Sequence, residues 1–208
     1  MKKILFIMLL PIIVNAQDTV RIKHSNYQTV FSRARKYPVL VEWWVTKNGI
    51  TCTQPFKRSD NFSPDPLLKD DSNLGTDYVG SGFDRGHIAP AADNQCVSKQ
   101  AMDESFYFTN MAPQRAGLNR GAWKMLEEHT RDLAKKHDSV FVQSGCVGVE
   151  TTVKRLSIPT HCWKITTVKS TNEVTAYVFR NIPDKSPTRA NHIVPIDSVR
   201  RLTKLNIG

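Results

Sequence analysis

The chain has 208 residues, with 29 lysines and arginines against 19 aspartates and glutamates, and its formal net charge is +10. This length suffices for one substantial core, and the lack of repeats, low-complexity tracts and Gly/Ser-rich linkers argues against several domains. The basic charge favours a polyanionic partner such as nucleic acid, acidic glycan or anionic lipid, but charge alone does not choose among these. A generic basic surface explains the composition equally well.

Residues 1–16 have the pattern of a secretory signal peptide. Two lysines are followed by an apolar run from Ile4 to Val14 and then by small residues. The run is too short to span a bilayer comfortably, and no later segment replaces it. We therefore predict a signal peptide at 1–16, a mature domain at 17–208, and a secreted or periplasmic protein without membrane association after cleavage. A retained membrane anchor is the alternative.

In the first half of the chain, short β-branched and aromatic segments flank a long polar loop. Strands are predicted at 38–46, 84–89 and 105–112, with a helical turn at 100–104. Residues 57–83 are rich in Asp, Ser, Asn, Pro and Gly. We expect them to form a long ordered loop across the front of a functional site, because long loops are often functional.

The clearest helix is predicted from Asn119 to about Lys136, where apolar residues recur at helical spacing and Asn119 is the candidate cap. Strands follow at 139–144, 162–169 and 174–180, and the chain ends in a short amphipathic helix. The order of elements predicts an α+β fold, a single domain whose core is a mixed, mainly antiparallel sheet.

Four cysteines lie far apart in the sequence, at Cys52, Cys96, Cys146 and Cys162. They lack the C-x-x-C spacing that is typical of zinc sites. In an exported chain an even number of cysteines permits two disulfides, with three connectivities. Cys146 follows a strand-like segment and Cys162 begins another, so the sequence favours a bond between these two. Free buried thiols are the alternative.

Residues 84–90, Asp-Arg-Gly-His-Ile-Ala-Pro, place a carboxylate, a guanidinium and an imidazole within four positions. A histidine can move protons near neutral pH, and the planar guanidinium of Arg85 can bind a phosphate. The combination favours phosphodiester cleavage with His87 as general base. Polar runs of this length are also common in surface turns, so the interpretation depends on a second segment.

The second segment is the predicted helix, where Asn119, Trp123, Glu127 and Arg131 are spaced by four residues and share one face. In a purely structural interpretation, Glu127 and Arg131 form an ion pair worth roughly 0.3–0.5 kcal/mol. That interpretation gives Asn119 no role. If the face looks toward His87, Asn119 and Glu127 lie about 12 Å apart along the axis, at about 1.5 Å per residue. We therefore predict that Asn119 ligates Mg²⁺ directly and that Glu127 holds a metal-bound water, since Mg²⁺ keeps several waters.

The remaining candidate site residues are predicted to contact the substrate or to orient the base. Arg131, Arg58 and Arg85 would hold the scissile phosphate and its developing charge. Asn110 would orient the imidazole or the substrate. Mg²⁺ would neutralise the phosphate and the departing 3′-oxygen, and Mn²⁺ is a candidate substitute.

These segments resemble the DNA/RNA non-specific endonucleases of the ββα-metal class, which include secreted bacterial nucleases and mitochondrial endonuclease G. The matching runs are Arg58–Asp65, Gly80–His87, Phe106–Gln114 and Leu118–Arg131. Weaker similarity extends over most of the chain from about residue 38. The resemblance implies the same roles for His87, Asn119 and Glu127, DNA and RNA as substrates, and products with 5′-phosphate and 3′-hydroxyl ends. The run after Pro90 and the four cysteines depart from the family pattern.

Two alternatives to the enzyme remain in view. One is a catalytically silent nuclease-like module that binds nucleic acid or another polyanion, and the other is a basic heparin- or surface-binding protein. The presence of His87, Asn119 and Glu127 together favours the enzyme. The sequence leaves open the preference between DNA and RNA, and whether the protein is a monomer or a homodimer.

Overall fold

The structure is a computed structural model that describes residues 18–68, 71–182 and 189–208. The predicted signal peptide at 1–16 lies outside the described residues. In chain order, the strands are β1 (Thr19–Lys23), β2 (Tyr27–Ser32), β3 (Tyr37–Thr46), β4 (Asp84–His87), β5 (Met111–Gln114), β6 (Ser139–Val147), β7 (Thr151–Val153), β8 (Leu156–Ile158), β9 (His161–Val168), β10 (Val174–Arg180) and β11 (Ile193–Val194). The helices are α1 (Lys47–Ile50), α2 (Gly75–Tyr78), α3 (Lys99–Glu104), α4 (Ala116–Leu118), α5 (Lys124–His137) and α6 (Ile196–Thr203).

The framework is a seven-stranded sheet with the strand order β1-β2-β3-β6-β9-β10-β11 in the described part of the chain. Each neighbouring pair in it is antiparallel. Two small hairpins, β4–β5 and β7–β8, lie outside this sheet. The prediction of an α+β fold with a mainly antiparallel sheet is confirmed.

The sheet is buried on both faces, and the period of two along each strand decides which side chains meet which helix. From β3, Val41, Trp43 and Val45 pack in one cluster with Leu126 and Ala134 of α5. Side chains of the opposite face form a second cluster that includes residues of α6. The long helix and the β4–β5 hairpin therefore share one side of the sheet, and α6 covers the other.

The predicted strand at 105–112 is largely wrong. Ser105 and Phe106 close the end of α3, residues 108–110 form a 3₁₀ turn, and the strand begins only at Met111. The side chain of Asn110 explains the turn, because its Nδ2 donates to the carbonyls of Ala89 and Ser105 at 2.8 Å each. These bonds bend the chain where a strand would continue straight.

The predicted helix start at Asn119 is also wrong. Helical residues begin at Ala116, a π-turn spans Asn119–Trp123, and the regular helix α5 starts at Lys124. Gly121 breaks the helical path with φ −105° and ψ −114°. Asn119 itself has helical dihedrals and is not the predicted N-terminal cap, since it follows the last residue of α4 and its side chain bonds to Asp84. Such π-turns are frequent at functional sites.

The four cysteines form two disulfides. Cys146 and Cys162 face each other in the β6–β9 register and are bonded, which confirms that prediction. The remaining pair, Cys52–Cys96, is bonded as well. Separately, no helix in the described ranges has the length and apolar character needed to cross a membrane.

Candidate functional site

The β4–β5 hairpin presents two of the predicted site residues side by side. Alternation along β4 places Arg85 and His87 on one face and Asp84 and Gly86 on the other. Gly86 packs directly over Gln114, because a Cβ built on it would lie 2.1 Å from Gln114 Oε1. Only glycine allows this approach, and the close packing holds the hairpin that carries the arginine and the histidine.

His87 is seated in an aromatic environment. Its ring lies 4.9 Å from the Phe106 ring, edge to face, and 5.5 Å from the Phe62 ring. Burial and the nearby charges of Arg58 and Arg85 lower the pKa of His87 to about 3. The imidazole is therefore neutral at physiological pH. Its Nε2 is buried and makes no hydrogen bond to the described residues, so it is a candidate proton acceptor.

Asn110 lies beneath the histidine and is fully buried. Its Oδ1 accepts from the Ala89 backbone N–H at 2.9 Å, and its Nδ2 is taken by two backbone carbonyls. The backbone N–H of Ile88 also donates to the Asn110 carbonyl at 3.0 Å. The expectation that the Asn110 amide contacts the imidazole or the substrate does not fit this geometry, because these bonds occupy the amide. Asn110 holds the backbone that follows His87.

Asn119 faces the hairpin from the π-turn. Its Nδ2 donates to Asp84 Oδ2 at 2.9 Å, and Arg120 makes a two-point contact with the same carboxylate at 2.8 and 2.7 Å. Burial raises the pKa of Asp84. The hydrogen bonds from Arg120 and Asn119, together with the charge of Arg120, outweigh this effect and hold the pKa below its usual range. The contact fixes the amide orientation and leaves the Asn119 oxygen as the atom able to ligate a cation.

Glu127 and Arg131 belong to a buried group of charges under the helix. Burial raises the pKa of Glu127 to about 7, although the cations of Lys164 and Arg131 oppose the rise. Arg131 Nη1 lies 3.1 Å from Asp93 Oδ1, and Trp43 Nε1 donates to Asp93 Oδ2 at 2.9 Å. Within the described residues Arg131 therefore pairs with Asp93, and the exposed Glu127–Arg131 ion pair of the purely structural interpretation is not observed.

Lys164 completes this group from the sheet. It is 1% exposed and lies on the face of β9 that meets α5. Its Nζ lies 4.4 Å from the centroid of the Trp123 ring and 5.4 Å from that of Trp43. Burial lowers the pKa of Lys164, while Glu127 and Asp93 raise it. The two indole faces and the two carboxylates compensate an otherwise costly buried charge.

One cavity of about 440 Å³ collects most of the predicted site residues. It is lined by Arg58, Arg85, His87, Asn119, Glu127 and Arg131. Asn110 lies behind the wall and does not line it. Arg85 and Asn119 also border a neighbouring cavity of about 340 Å³ with aromatic walls. The imidazole and the amide at the start of the helical segment therefore face the same space.

Sequence reasoning missed three residues that the site uses. Arg120 binds Asp84, while Asp93 and Lys164 form the charge group beneath Glu127. Arg120 follows Asn119 directly in the sequence, so its position near the site was predictable from that of Asn119. Asp93 and Lys164 are separated from the helix by long stretches of chain, and no spacing in the sequence connects them to it.

The oxygen donors of the cavity decide which metal ion it could hold. Among the described residues, no three His, Cys, Asp or Glu side chains converge on a position that could hold a metal. The cavity instead offers the amide oxygen of Asn119 and the carboxylate of Glu127, which are hard oxygen donors. Mg²⁺ accepts few protein ligands because it keeps several of its waters. The residues present fit a hydrated magnesium ion and do not fit a zinc site.

A two-stranded hairpin followed by a helix, with a neutral histidine opposite an oxygen donor, is the architecture of the ββα-metal class. Comparison with known proteins identifies the family within it. The chain belongs to the DNA/RNA non-specific endonuclease family, whose profile matches residues 12–208.

Individual relatives agree with this assignment. The chain is 32% identical over 213 residues to Nuclease 1, mitochondrial, of Schizosaccharomyces pombe, covering 90% of this chain and 65% of that protein. It is 36% identical over 147 residues to Endonuclease G, mitochondrial, of Bos taurus, covering 62% of this chain and 49% of that protein. The chain thus spans about half to two-thirds of the length of these relatives.

A solved structure supports the fold. The chain superimposes on a chain from "Crystal structure of the EndoG/EndoGI complex: Mechanism of EndoG inhibition" with a TM-score of 0.81 at 29% identity. The match covers 90% of this chain and 84% of that chain.

Proposed function

We propose that this protein is an endonuclease that hydrolyses phosphodiester bonds of DNA and RNA with little sequence preference. The products would carry 5′-phosphate and 3′-hydroxyl ends. The observation that supports this most is the shared cavity, in which His87, Asn119 and four arginines (Arg58, Arg85, Arg120 and Arg131) surround one space. Family membership adds the substrate class.

His87 is the general base in this proposal. Its buried Nε2 is neutral and unpaired within the described residues, so it can take a proton from an attacking water. The Trp123 indole donates to the His87 carbonyl at 3.2 Å, and Asn110 bonds the backbone that follows. Both hydrogen bonds hold the backbone at and after His87, and they therefore restrict the position of its imidazole.

The arginines bind the scissile phosphate. Arg85 lies over the Phe62 ring at 4.0 Å and Arg58 over the Phe106 ring at 4.8 Å, so two aromatic faces support the guanidinium groups. Arg131 is held by Asp93 at the far side of the cavity. Guanidinium groups match a phosphate in geometry and stabilise the charge that develops during cleavage.

Asn119 and Glu127 would hold a hydrated Mg²⁺, with Mn²⁺ as a substitute. When bound, the ion supplies positive charge to the phosphate and to the departing 3′-oxygen. The hydrogen bond that Asn119 Nδ2 donates to Asp84 leaves the Asn119 oxygen available, and Lys164 with Arg131 keeps positive charge close to Glu127.

Little base preference is expected, because the positively charged groups around the cavity, four arginines and Lys124, suit phosphates. Phosphate contacts carry no direct sequence information. They also make binding salt-dependent, so affinity should fall as ionic strength rises.

The decisive experiment replaces His87 by alanine and follows cleavage of DNA and RNA with Mg²⁺ and with EDTA. Loss of a general base is expected to lower the rate by about 10²- to 10⁴-fold while oligonucleotide binding persists. His137→Ala, at the exposed end of α5, is the matched control and should cleave normally. End-group analysis of the products shows which P–O bond is broken, because the proposal requires 5′-phosphate and 3′-hydroxyl ends. Near wild-type cleavage by His87→Ala excludes the proposed base, and a wild type that binds without cleaving supports the silent-module alternative.

We also propose that the chain is exported, with residues 1–16 as the signal peptide and 17–208 as the mature domain. The lysine-led apolar N-terminus and the two disulfides support this. N-terminal sequencing of protein recovered from the periplasm or the culture medium of the producing cells tests it. A chain that retains Met1 and stays in the cytosol contradicts it.

A further inference from the structure

Arg58 reaches the cavity from a segment with little regular structure, residues 51–63, which we call the Arg58 loop. Almost all of its side chains are exposed, and within the described residues its one strand-like contact is the bridge between Ser63 and Tyr107. Arg58 forms an ion pair with an exposed neighbour of the same loop, Asp60, at 2.6 Å, and its guanidinium lies over the Phe106 ring at 4.8 Å. The Ser63 bridge and the Arg58–Phe106 contact tie the C-terminal half of the loop to the segment that carries Phe106 and Tyr107, and they do not reach its N-terminal half.

The two ends of the Arg58 loop are anchored differently. At the C-terminal end, Ser63 exchanges backbone hydrogen bonds with the segment that carries Phe106 and Phe108, at 3.3 and 3.0 Å. At the N-terminal end, one backbone hydrogen bond joins Phe56 to Gln95 at 2.7 Å, and the Cys52–Cys96 disulfide lies beside it. Within the described residues, the disulfide is thus the one covalent bond between side chains that joins this end to the segment beside the cavity.

The partner of Cys52 belongs to the cavity wall. Cys96 follows the 3₁₀ turn Ala91–Asn94, and Ala91 and Ala92 of this turn line the same cavity as Arg58. The Cys96 backbone N–H donates to the Gly49 carbonyl at 3.0 Å, which fixes the turn to the end of α1. The bond therefore joins the Arg58 loop to the segment directly after the turn that forms part of the cavity wall.

We propose that the Cys52–Cys96 disulfide is a positioning element for substrate binding, which holds the Arg58 loop against the cavity wall so that Arg58 meets the phosphate. This inference rests on the proposed function. Without the bond, the loop has more conformations to lose when substrate binds, and the cost of ordering it lowers the affinity. The second disulfide has no such role, because Cys146 and Cys162 are buried inside a strand pair that the sheet itself orders.

The test compares the double variant Cys52→Ser/Cys96→Ser with the matched control Cys146→Ser/Cys162→Ser. The dissociation constant of a labelled oligonucleotide is measured together with KM and kcat for nucleic acid, and circular dichroism and thermal unfolding confirm that each variant is folded at the assay temperature. We expect the first variant to raise KM and the dissociation constant by about 2- to 12-fold with kcat little changed, as for one ordered long side chain. The control should leave both constants unchanged.

Arg58→Ala separates a positioning effect from a general loss of stability. If the bond acts through Arg58, adding Cys52→Ser/Cys96→Ser to Arg58→Ala should raise KM little further, since coupled positions are non-additive. A full additional rise on the Arg58→Ala background overturns the inference, as does an unchanged KM in the folded disulfide variant.

The outcomes also distinguish this inference from the proposed function. If the wild type binds the oligonucleotide without cleaving it, the nuclease proposal fails while the binding constants still test the disulfide. If Arg58→Ala alone leaves binding unchanged, the phosphate role of Arg58 fails and the positioning role fails with it. Absence of any oligonucleotide binding by the wild type overturns both.

Discussion

Replacing Gly86 by alanine is the perturbation whose consequence the structure defines most directly. The new Cβ would lie 2.1 Å from Gln114 Oε1, 2.5 Å from its Cδ and 2.8 Å from its Cγ. Contacts this short cannot persist, so the Gln114 side chain or the hairpin must move. Gln114 is fully buried, and a close-packed interior gives its side chain little room to rotate.

Overpacking of this kind typically costs about 1–3 kcal/mol. For a domain of about this size, each kcal/mol lowers Tm by about 2–4 °C, so Gly86→Ala should lower Tm by about 2–12 °C. Gly86 lies between Arg85 and His87, and both residues shift if the hairpin yields. A displacement of about 1 Å at a reacting group can cost about 10²-fold, and a fall in kcat/KM of up to that size is expected.

A double-mutant cycle with Gln114→Ala tests this reasoning by thermal unfolding and by nuclease assay. The three nearest atoms all belong to the Gln114 side chain, so its truncation should reduce the stability cost of Gly86→Ala to below about 0.5 kcal/mol. The amide atoms of Gln114 have no hydrogen-bond partner within the described residues, so truncation removes no such bond. An equal loss of stability on both backgrounds would show that the strain does not arise at Gln114.

Three further outcomes follow from the same structure. Gly145→Ala should destabilise the fold at least as much as Gly86→Ala, because its Cβ would lie 2.2 Å from the Val39 carbonyl oxygen. Urea unfolding measures the loss of stability. Rescue of stability by truncation of a neighbouring side chain would contradict a clash with the backbone. Burial raises the pKa of Asp65, but hydrogen bonds led by that from His24 lower it overall. Its stabilisation is therefore present above the unfolded-state pKa of about 4 and is lost as pH falls through the lower folded-state pKa. Asp65→Asn should thus be less stable than wild type at pH 7 and lose less stability on acidification, and parallel denaturation curves at pH 7 and pH 3 would refute this. Asn119→Ala should weaken Mg²⁺ binding by at least about 10-fold in calorimetric titration, and a titration identical to that of wild type would remove it as a ligand.

Most secondary structure was predictable because it depends on local patterns. The strands at 139–144 and 174–180 lie within β6 and β10, and the helical turn at 100–104 lies within α3. The Cys146–Cys162 bond was accessible for the same reason, since each cysteine adjoins a recognisable strand and short connections favour adjacent strands.

The errors occurred where a side chain from a distant element overrides local preference. The amide of Asn110 bends the predicted strand by bonding backbone near residue 89, and Asp84 draws Asn119 away from a capping role. In the sequence, Gly121 is compatible with a continuous helix, and only the folded structure shows that its backbone is not helical. Propensity is a weak guide against such contacts.

From its residue order alone, this chain predicts a general base, a metal ligand and phosphate-binding arginines, because the polar side chains of Asp84 to His87 and of Asn119 to Arg131 lie at short intervals in the sequence. Only folding placed these two segments around one cavity and brought Lys164 beneath Glu127. The physical reason is that spacing encodes which side chains share a face of one element. Which faces then meet depends on sheet order and burial, and these are properties of the whole chain.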